Sequence, residues 1–351
     1  MQISKHHKAR LMISSKRFVF LAASLLAIAA AQSSHAEEKL RMTLDWTFQG
    51  PQSIYTYAAD KGYFADEGIN ITIDRGNGSA DAITRVGSGA YDIAVGDVNS
   101  MMEYNVKNTS LPPLIAVMMI YDRVPLCVVT TDPRIQAPKD LEGKRILTSP
   151  GAADFRLFPL FARETMIDTS KIRFINVQPT MRESLLMRGE ADGSTGFYHT
   201  SLLTLKSMGA DVSKLKAFMY YDYGIKIYGN AIIVTKAFAT SKPNVVKGFN
   251  RAVARALRDV SANPEIAMAS LKKRDGTVNT AIEAERLKVF LDMAVKTPDV
   301  LKNGFGDVDQ ARLSEAIDQT HEALALARKP TSAEVFTAQY LPTKEQRMLS
   351  K

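Results

Sequence analysis

The sequence has few of the side chains on which most enzymes and metal sites depend. Only 1 cysteine and 5 histidines occur in 351 residues, and three of these histidines lie within the first 36. A zinc site with histidine and cysteine ligands at their usual spacing is therefore excluded. The G-x-S-x-G, H-E-x-x-H and P-loop motifs are also absent. A hydrolase built on two carboxylates stays open, but nothing singles out a pair among the 37 acidic residues.

The first 36 residues have the pattern of a secretory signal peptide. Five lysines and arginines precede an apolar run of 14 residues, and Ser34 and Ala36 place small residues at the two key positions of a cleavage site. The run is short for a membrane span of about 20 residues. No cysteine follows it that would carry a lipid anchor. We therefore expect residues 1–36 to be removed on export and the mature protein to be unanchored.

The single cysteine, Cys127, rules out an internal disulfide. It lies in the apolar run 125–129, so we expect a buried small hydrophobic side chain and not a reactive thiol. An exported protein without disulfides or an anchor is typical of a bacterial periplasm. Removing the five basic residues of the leader lowers the formal net charge from +8 to +3. A chain with this mixed charge has no strong nucleic-acid footprint.

The 315 residues that remain are enough for two lobes. Strands are predicted at 40–46, 69–74, 92–95, 114–120 and 228–236, and helices at 53–64, 80–86, 245–260, 264–271, 282–295 and 311–326. This alternation of strands and helices predicts a parallel α/β architecture.

One segment of the chain is echoed 100 residues later. In both 89–96 and 189–196 a glycine ends a helix, an aspartate follows, and a short strand ends at a second glycine. The echo predicts two similar α/β lobes, with a commonplace turn seen twice as the alternative. We expect residues 37–122 and 233–351 to form the first lobe with the C-terminal helices, and residues 123–232 to form the second. The chain would cross between them near 121–125 and 228–235.

Polar and aromatic side chains crowd the end of the first predicted strand, in the turn LDWTFQGPQ. Asp45 and Trp46 end the strand, and Gln49 and Gln52 follow. Tryptophan offers a flat face for stacking, and the amides donate and accept hydrogen bonds without charge. We predict that this turn faces a ligand. A Trp46 side chain packed in the core is the alternative.

Other candidates lie after further strands, where helix N-termini offer free N–H groups. The remaining predicted ligand-binding residues are Ser79, Asp97, Asn99, Asp154, Phe155, Phe197, Tyr198 and Tyr228. Ordinary helix capping is the alternative role for Ser79 and Asp154. Packing of the hinge is the alternative role for Tyr228.

These segments resemble the periplasmic substrate-binding proteins of ABC importers, in the branch that binds thiamine-pyrimidine precursors, sulfonates and nitrate. The resemblance lies in LDWTFQGPQ, AADKGYFADEGINITI, GSADAITRVGSGAYDIAVGD, PKDLEGKRI, DGSTGFYHTS, YGNAIIVTKAF and PNVVKGFNRAVARAL. It covers roughly residues 40–295. It implies a two-lobed α/β fold of the type II "Venus flytrap" kind with two hinge crossings. Ligand would close the lobes, and the closed form would dock on an ABC permease in the inner membrane.

The turn after Asp45-Trp46 departs from this branch. The pyrimidine binders carry an Asn-rich turn that ends in histidine, whereas residues 48–53 read FQGPQS. Related fungal enzymes that consume their own histidine also need a cysteine-rich iron motif, and this chain has neither. We therefore expect a periplasmic solute-binding protein and not an enzyme, without catalytic residues, cofactor or metal, and monomeric.

The ligand class follows from the candidate side chains. An aromatic heterocycle would stack on Trp46 or Phe197 while amide and carboxyl groups bond its ring nitrogens. A small anion such as a sulfonate or nitrate would instead need Arg156 or Arg182 beside helix N-termini. The count of aromatic and amide groups favours a small nitrogen heterocycle, similar to a pyrimidine. A ligand-sensing partner of a membrane receptor, with the same fold, stays as an alternative.

Overall fold

The computed structural model describes residues 37–349, which form two five-stranded sheets with helices around them. The predicted signal peptide, residues 1–36, lies outside these residues. Across 37–349, no helix is both long and apolar enough to cross a membrane.

The strands follow one another along the chain as β1 Glu38–Thr43, β2 Ile69–Asp74, β3 Ile93–Asp97, β4 Leu114–Met119, β5 Leu126–Thr130, β6 Arg145–Thr148, β7 Arg173–Asn176, β8 Gly193–Phe197, β9 Lys216–Met219 and β10 Asn230–Thr235. The first sheet has the order β2-β1-β3-β10-β4, and the second has the order β7-β6-β8-β5-β9.

The helices are α1 Ser53–Asp60, α2 Ser79–Gly87, α3 Val98–Lys107, α4 Ala153–Arg156, α5 Phe158–Glu164, α6 Arg182–Met187, α7 Tyr198–Ser207, α8 Lys236–Ser241, α9 Pro243–Ala262, α10 Met268–Arg274, α11 Thr280–Phe290, α12 Pro298–Asn303, α13 Gln310–Ala323, α14 Ser332–Val335 and α15 Lys344–Arg347. A turn of π-helix, Leu291–Val295, continues α11.

The two sheets have the same topology. In each, three strands are parallel, β2-β1-β3 in the first sheet and β7-β6-β8 in the second. The next strand, β10 or β5, runs antiparallel to both of its neighbours. The prediction of parallel sheets is therefore wrong for this strand of each sheet. The chain enters it after crossing from the other sheet, so its direction is reversed.

The echoed segments occupy equivalent places in the two sheets. Asp92, before β3, accepts a hydrogen bond from the backbone N–H of Arg41 in β1 at 2.8 Å. Asp192, before β8, accepts the same bond from the N–H of Arg145 in β6, also at 2.8 Å. Each aspartate thus fixes the start of a strand against its parallel neighbour. The repeat in the sequence reflects a repeated structural joint.

The chain changes sheet twice. It leaves the first sheet after β4 and enters the second at β5, so residues 120–125 make the outward crossing. It leaves the second sheet after β9 and returns at β10, so residues 220–229 make the return. The predicted boundary after residue 232 falls inside β10, all of whose residues belong to the first sheet.

The core lies on both faces of the sheets. All six residues of β4 are buried, which explains its uninterrupted apolar sequence. The long helix α9 begins with proline at its first position and buries one stripe, including Val246, Phe249, Val253 and Leu257. Cys127 is fully buried in β5, as expected.

Candidate ligand-binding cleft

A cleft lies where the carboxyl ends of parallel strands from both sheets meet. The residues that line it are Asp45, Trp46, Gln52, Gly78, Ser79, Tyr121, Ala152, Ala153, Asp154, Arg182, Phe197, His199 and Thr200.

Asp45 anchors the first wall of the cleft. One carboxylate oxygen accepts a hydrogen bond from Gln52 Nε2 at 3.1 Å, and the other accepts one from Asn230 Nδ2 at 2.6 Å. Burial raises the pKa of the Asp45 carboxyl to about 6, against the opposite effect of these two hydrogen bonds. The bond from Gln52 fixes that amide, because a flipped Gln52 would turn its oxygen towards the carboxylate. Asp45 thereby orders the turn between β1 and α1.

Trp46 and Arg182 face each other from opposite walls. The guanidinium carbon of Arg182 lies 6.0 Å from the centroid of the Trp46 ring, at the outer limit of a cation–π contact. Arg182 is buried and donates to Asp154 Oδ2 at 2.6 Å. Thr195 donates to the same oxygen at 2.7 Å. The positive charge of Arg182 is therefore already paired inside the protein.

Three aromatic rings close the hinge side of the cleft. Tyr121, from the outward crossing, makes edge contacts with Phe197 and His199 at centroid distances of 6.2 and 6.4 Å. Burial and the nearby charge of Arg286 lower the pKa of His199 to about 3, so its imidazole is neutral at pH 7. The wall is thus aromatic, and its buried His199 Nδ1 has no hydrogen-bond partner among residues 37–349.

The structure brings six of the twelve predicted ligand-binding residues into the cleft lining. These are Asp45, Trp46, Gln52, Ser79, Asp154 and Phe197. Arg182, one of the two arginines considered for an anion, also lines it. Arg156 does not, because it pairs with Glu103 on α3.

Asp97 and Asn99 have structural roles instead of facing the cleft. Asp97 is the N-cap of α3 and accepts from the backbone N–H of Ser100 at 2.8 Å. Asn99 donates to the carbonyl oxygen of Tyr228 at 2.8 Å and accepts from Thr320 at the same distance. Both side chains are fully buried. They connect α3 to the return crossing and to α13.

The other four predicted residues also lie outside the lining. The guanidinium carbon of Arg312 lies 4.0 Å from the centroid of the Tyr228 ring. The Tyr228 hydroxyl accepts a hydrogen bond from the backbone N–H of Asp309. Phe155 packs edge-on against Phe174. Tyr198 is half-buried against the core of the second sheet, and Gln49 is half-buried in the turn before α1. Neither is among the lining residues.

Sequence reasoning missed Tyr121, His199 and Thr200. Tyr121 lies in a hinge crossing, which the sequence placed correctly, and a hinge between two lobes borders their cleft. His199 and Thr200 lie in the first turn of α7, which begins at Tyr198. Across residues 37–349, no cluster of three or more histidine, cysteine or acidic side chains is arranged to hold a metal ion.

The chain belongs to the NMT1/THI5-like family, whose family model matches residues 51–267. It is 23% identical over 296 residues to the formylaminopyrimidine-binding protein of Halalkalibacterium halodurans, covering 80% of this chain and 86% of that protein. It is 25% identical over 220 residues to the riboflavin-binding protein RibY of Chloroflexus aurantiacus, covering 60% of this chain and 59% of that protein.

Among solved structures, the alkanesulfonate-binding protein SsuA of Xanthomonas axonopodis pv. citri, bound to MOPS, superposes with a TM-score of 0.64. The two chains are 14% identical, and the match covers 85% of this chain and 98% of that one. The likeness confirms the predicted two-lobed α/β fold of periplasmic binding proteins. By their names, these two relatives and this neighbour are binding proteins.

Proposed function

We propose that this protein captures a small nitrogen heterocycle, similar to a pyrimidine, in the periplasm and delivers it to an ABC permease in the inner membrane. Its leader, residues 1–36, would direct export, and the mature protein would act as an unanchored monomer without a nucleic-acid partner. Membership of the NMT1/THI5-like family supports the role in import. The relative that binds formylaminopyrimidine supports the ligand class.

The observation that carries the ligand class is a set of buried acceptors in the cleft. Gln52 Oε1 and Asp154 Oδ1 are buried and have no hydrogen-bond partner among residues 37–349. Such groups are costly unless a ligand satisfies them. Because both atoms accept hydrogen bonds, the ligand must donate. An amino-substituted heterocycle has N–H donors at its edge and a flat face for Trp46.

A small anion fits the same cleft less well. Arg182 is the only lysine or arginine among the described residues that line it, and Asp154 already pairs with it. The carboxylates of Asp45 and Asp154 outnumber this one cation. A sulfonate or nitrate would thus meet unpaired acceptors and negative charge. The charge of the cleft favours a neutral or cationic ligand.

Titration of Trp46 fluorescence tests the proposal, because Trp46 is the only tryptophan of the chain. The protein without residues 1–36 would be titrated with 4-aminopyrimidine, riboflavin, ethanesulfonate and nitrate, with calorimetry in parallel. We expect a saturable change with 4-aminopyrimidine and none with the two anions. Saturable binding of an anion alone would overturn the ligand class. Heat of binding without a fluorescence change would remove Trp46 from the site.

Trp46→Phe is the matched variant, and its binding would be followed by calorimetry because it has no tryptophan. It keeps an aromatic face but loses the larger ring and its N–H group. We expect calorimetry to show binding of 4-aminopyrimidine that is weaker than in the wild type, about tenfold. Equal affinity would show that the ring of Trp46 does not stack on the ligand.

A further inference from the structure

A buried ion pair lies on α11, behind the cleft and outside its lining. Glu283 and Arg286 are 7% and 2% exposed. Arg286 Nε lies 2.9 Å from Glu283 Oε2, and Arg286 Nη2 lies 3.1 Å from Glu283 Oε1, so the pair is bidentate. Each residue also bonds a different wall of the cleft.

Glu283 bonds the cleft wall that is formed by the turn after β1. Its Oε2 accepts a hydrogen bond from the backbone N–H of Gly50 at 2.7 Å. Gly50 lies in the turn between Trp46 and Gln52, which both line the cleft. A Cβ on Gly50 would stand 2.4 Å from the carbonyl oxygen of Glu283, so the turn rests directly on the backbone of α11. The carboxylate therefore fixes the turn at its closest approach to the helix.

Arg286 bonds the cleft wall that is formed by the start of α7, after β8. Its Nη1 donates to the carbonyl oxygens of His199 and Thr200 at 3.0 and 2.7 Å. Both residues line the cleft at the start of α7. The guanidinium fork meets Glu283 on one side and these carbonyls on the other, a geometry that a lysine cannot reproduce.

We propose that Glu283 and Arg286 are positioning residues, which set the separation of the two cleft walls without touching the ligand. A buried ion pair has a desolvation cost that well-packed apolar side chains avoid. This pair is connected to segments from both sheets, so its bonds define one arrangement of Trp46 and Gln52 relative to His199 and Thr200. The proposal concerns the geometry of the cleft and holds whatever ligand occupies it.

Glu283→Gln and Arg286→Lys test the proposal, since the first removes the negative charge of Glu283 and the second removes the guanidinium fork of Arg286 but keeps its positive charge. Kd for 4-aminopyrimidine at 25 °C and Tm would be measured for each. We expect Kd to rise about tenfold, the usual scale for coupling within a hydrogen-bonded network. A purely structural pair would lower Tm and leave Kd unchanged. The matched control is Glu285→Gln, because Glu285 joins α11 to Lys206 of α7 through an exposed ion pair. We expect this control to bind as the wild type does.

Quenching of Trp46 by acrylamide in the ligand-free protein gives a second readout that needs no ligand. We expect the quenching constant to change in Glu283→Gln, Arg286→Lys and Gly50→Ala and to stay the same in Glu285→Gln. Equal quenching and equal Kd in all variants would overturn the proposal. If the wild type bound no heterocycle, the ligand assignment would fail, and the quenching comparison would still decide the role of the pair.

Discussion

Gly78, which lines the cleft, faces Gly151, and a Cβ added to Gly78 would stand 3.1 Å from the carbonyl oxygen of Gly151. Gly78 precedes α2 in the first lobe, and Gly151 follows β6 in the second. The backbone of Gly78 has a φ of 107°, which residues with a side chain rarely adopt. The two loops therefore lie against each other, with bare backbone on the first-lobe side.

We expect Gly78→Ala to weaken binding of the 4-aminopyrimidine probe about tenfold, because the new methyl group strains the backbone and crowds the opposite loop. Titration of Trp46 fluorescence measures this effect. Gly151→Ala is the matched control, since a Cβ there would have no atom within 4 Å. Equal affinity of the two variants would show that the loops do not meet when ligand binds.

Asp45 gives the folded protein a pH-dependent stability. Its carboxyl has an ordinary pKa of 3.8 and a pKa of about 6 in the folded protein, so the folded state binds the proton more tightly. Ionisation therefore lowers stability. This cost is absent below about pH 4, grows as pH rises through 6, and is complete above it. Two pKa units correspond to about 3 kcal/mol.

Asp45→Asn should remove this pH dependence. We expect the Tm of the wild type, relative to that of the variant, to fall as pH rises from 4 to 7. Asp132→Asn is the control, because the Arg134 side chain holds the pKa of the Asp132 carboxyl at about 2, outside this range. Parallel curves of Tm against pH for wild type and Asp45→Asn would contradict the raised pKa.

The buried pair of Arg182 and Asp154 should be sensitive to loss of one partner. We expect Arg182→Met to lower the free energy of unfolding by about 3–5 kcal/mol, because it leaves the Asp154 carboxylate buried without its cation. Adding Asp154→Asn should restore part of that loss. Urea denaturation measures both. Arg188→Met, which breaks the exposed pair with Glu190, should cost about 1 kcal/mol or less. A similar cost for Arg182→Met would argue against a buried charge pair.

Cys127 should be unreactive in the folded protein. The side chain is 0% exposed, and burial raises the pKa of its thiol above the ordinary value, so the thiolate is scarce and inaccessible. We expect no reaction with Ellman's reagent under native conditions and one thiol per chain in 6 M guanidinium, a denaturing condition. Rapid labelling of the native protein would show that β5 opens readily.

Local sequence patterns predicted the ends of strands and helices well where turn residues flank them. The strand β2, Ile69–Asp74, has its predicted bounds, because it alternates and follows Gly68, whose φ is 69°. The helix predicted at 53–64 ends earlier, at Asp60, since Gly62 adopts a φ of 77°. The direction of β10 was beyond local patterns, because it depends on where the chain returns from the other sheet.

The predicted position of the candidate site, at the ends of strands, agrees with the cleft better than the predicted set of side chains does. The ends of the parallel strands do border the cleft, but sequence alone does not show which side chains turn inward. Asp97 turns back to cap α3, a role that its place before a helix would have predicted. The buried pair of Glu283 and Arg286 connects residues more than 200 positions apart in sequence through Gly50. No local pattern shows such a contact.

The place of β10 has a consequence for the order of folding. All strands of the second sheet come from one continuous stretch, 126–219, whereas β4 is joined to the first sheet only through β10. During synthesis, which starts at the N-terminus, all strands of the second sheet are made before β10, so β4 still has no partner strand at that stage. We therefore expect the lobe in the middle of the chain to fold first, and the lobe built from the segments on either side of it to be completed afterwards.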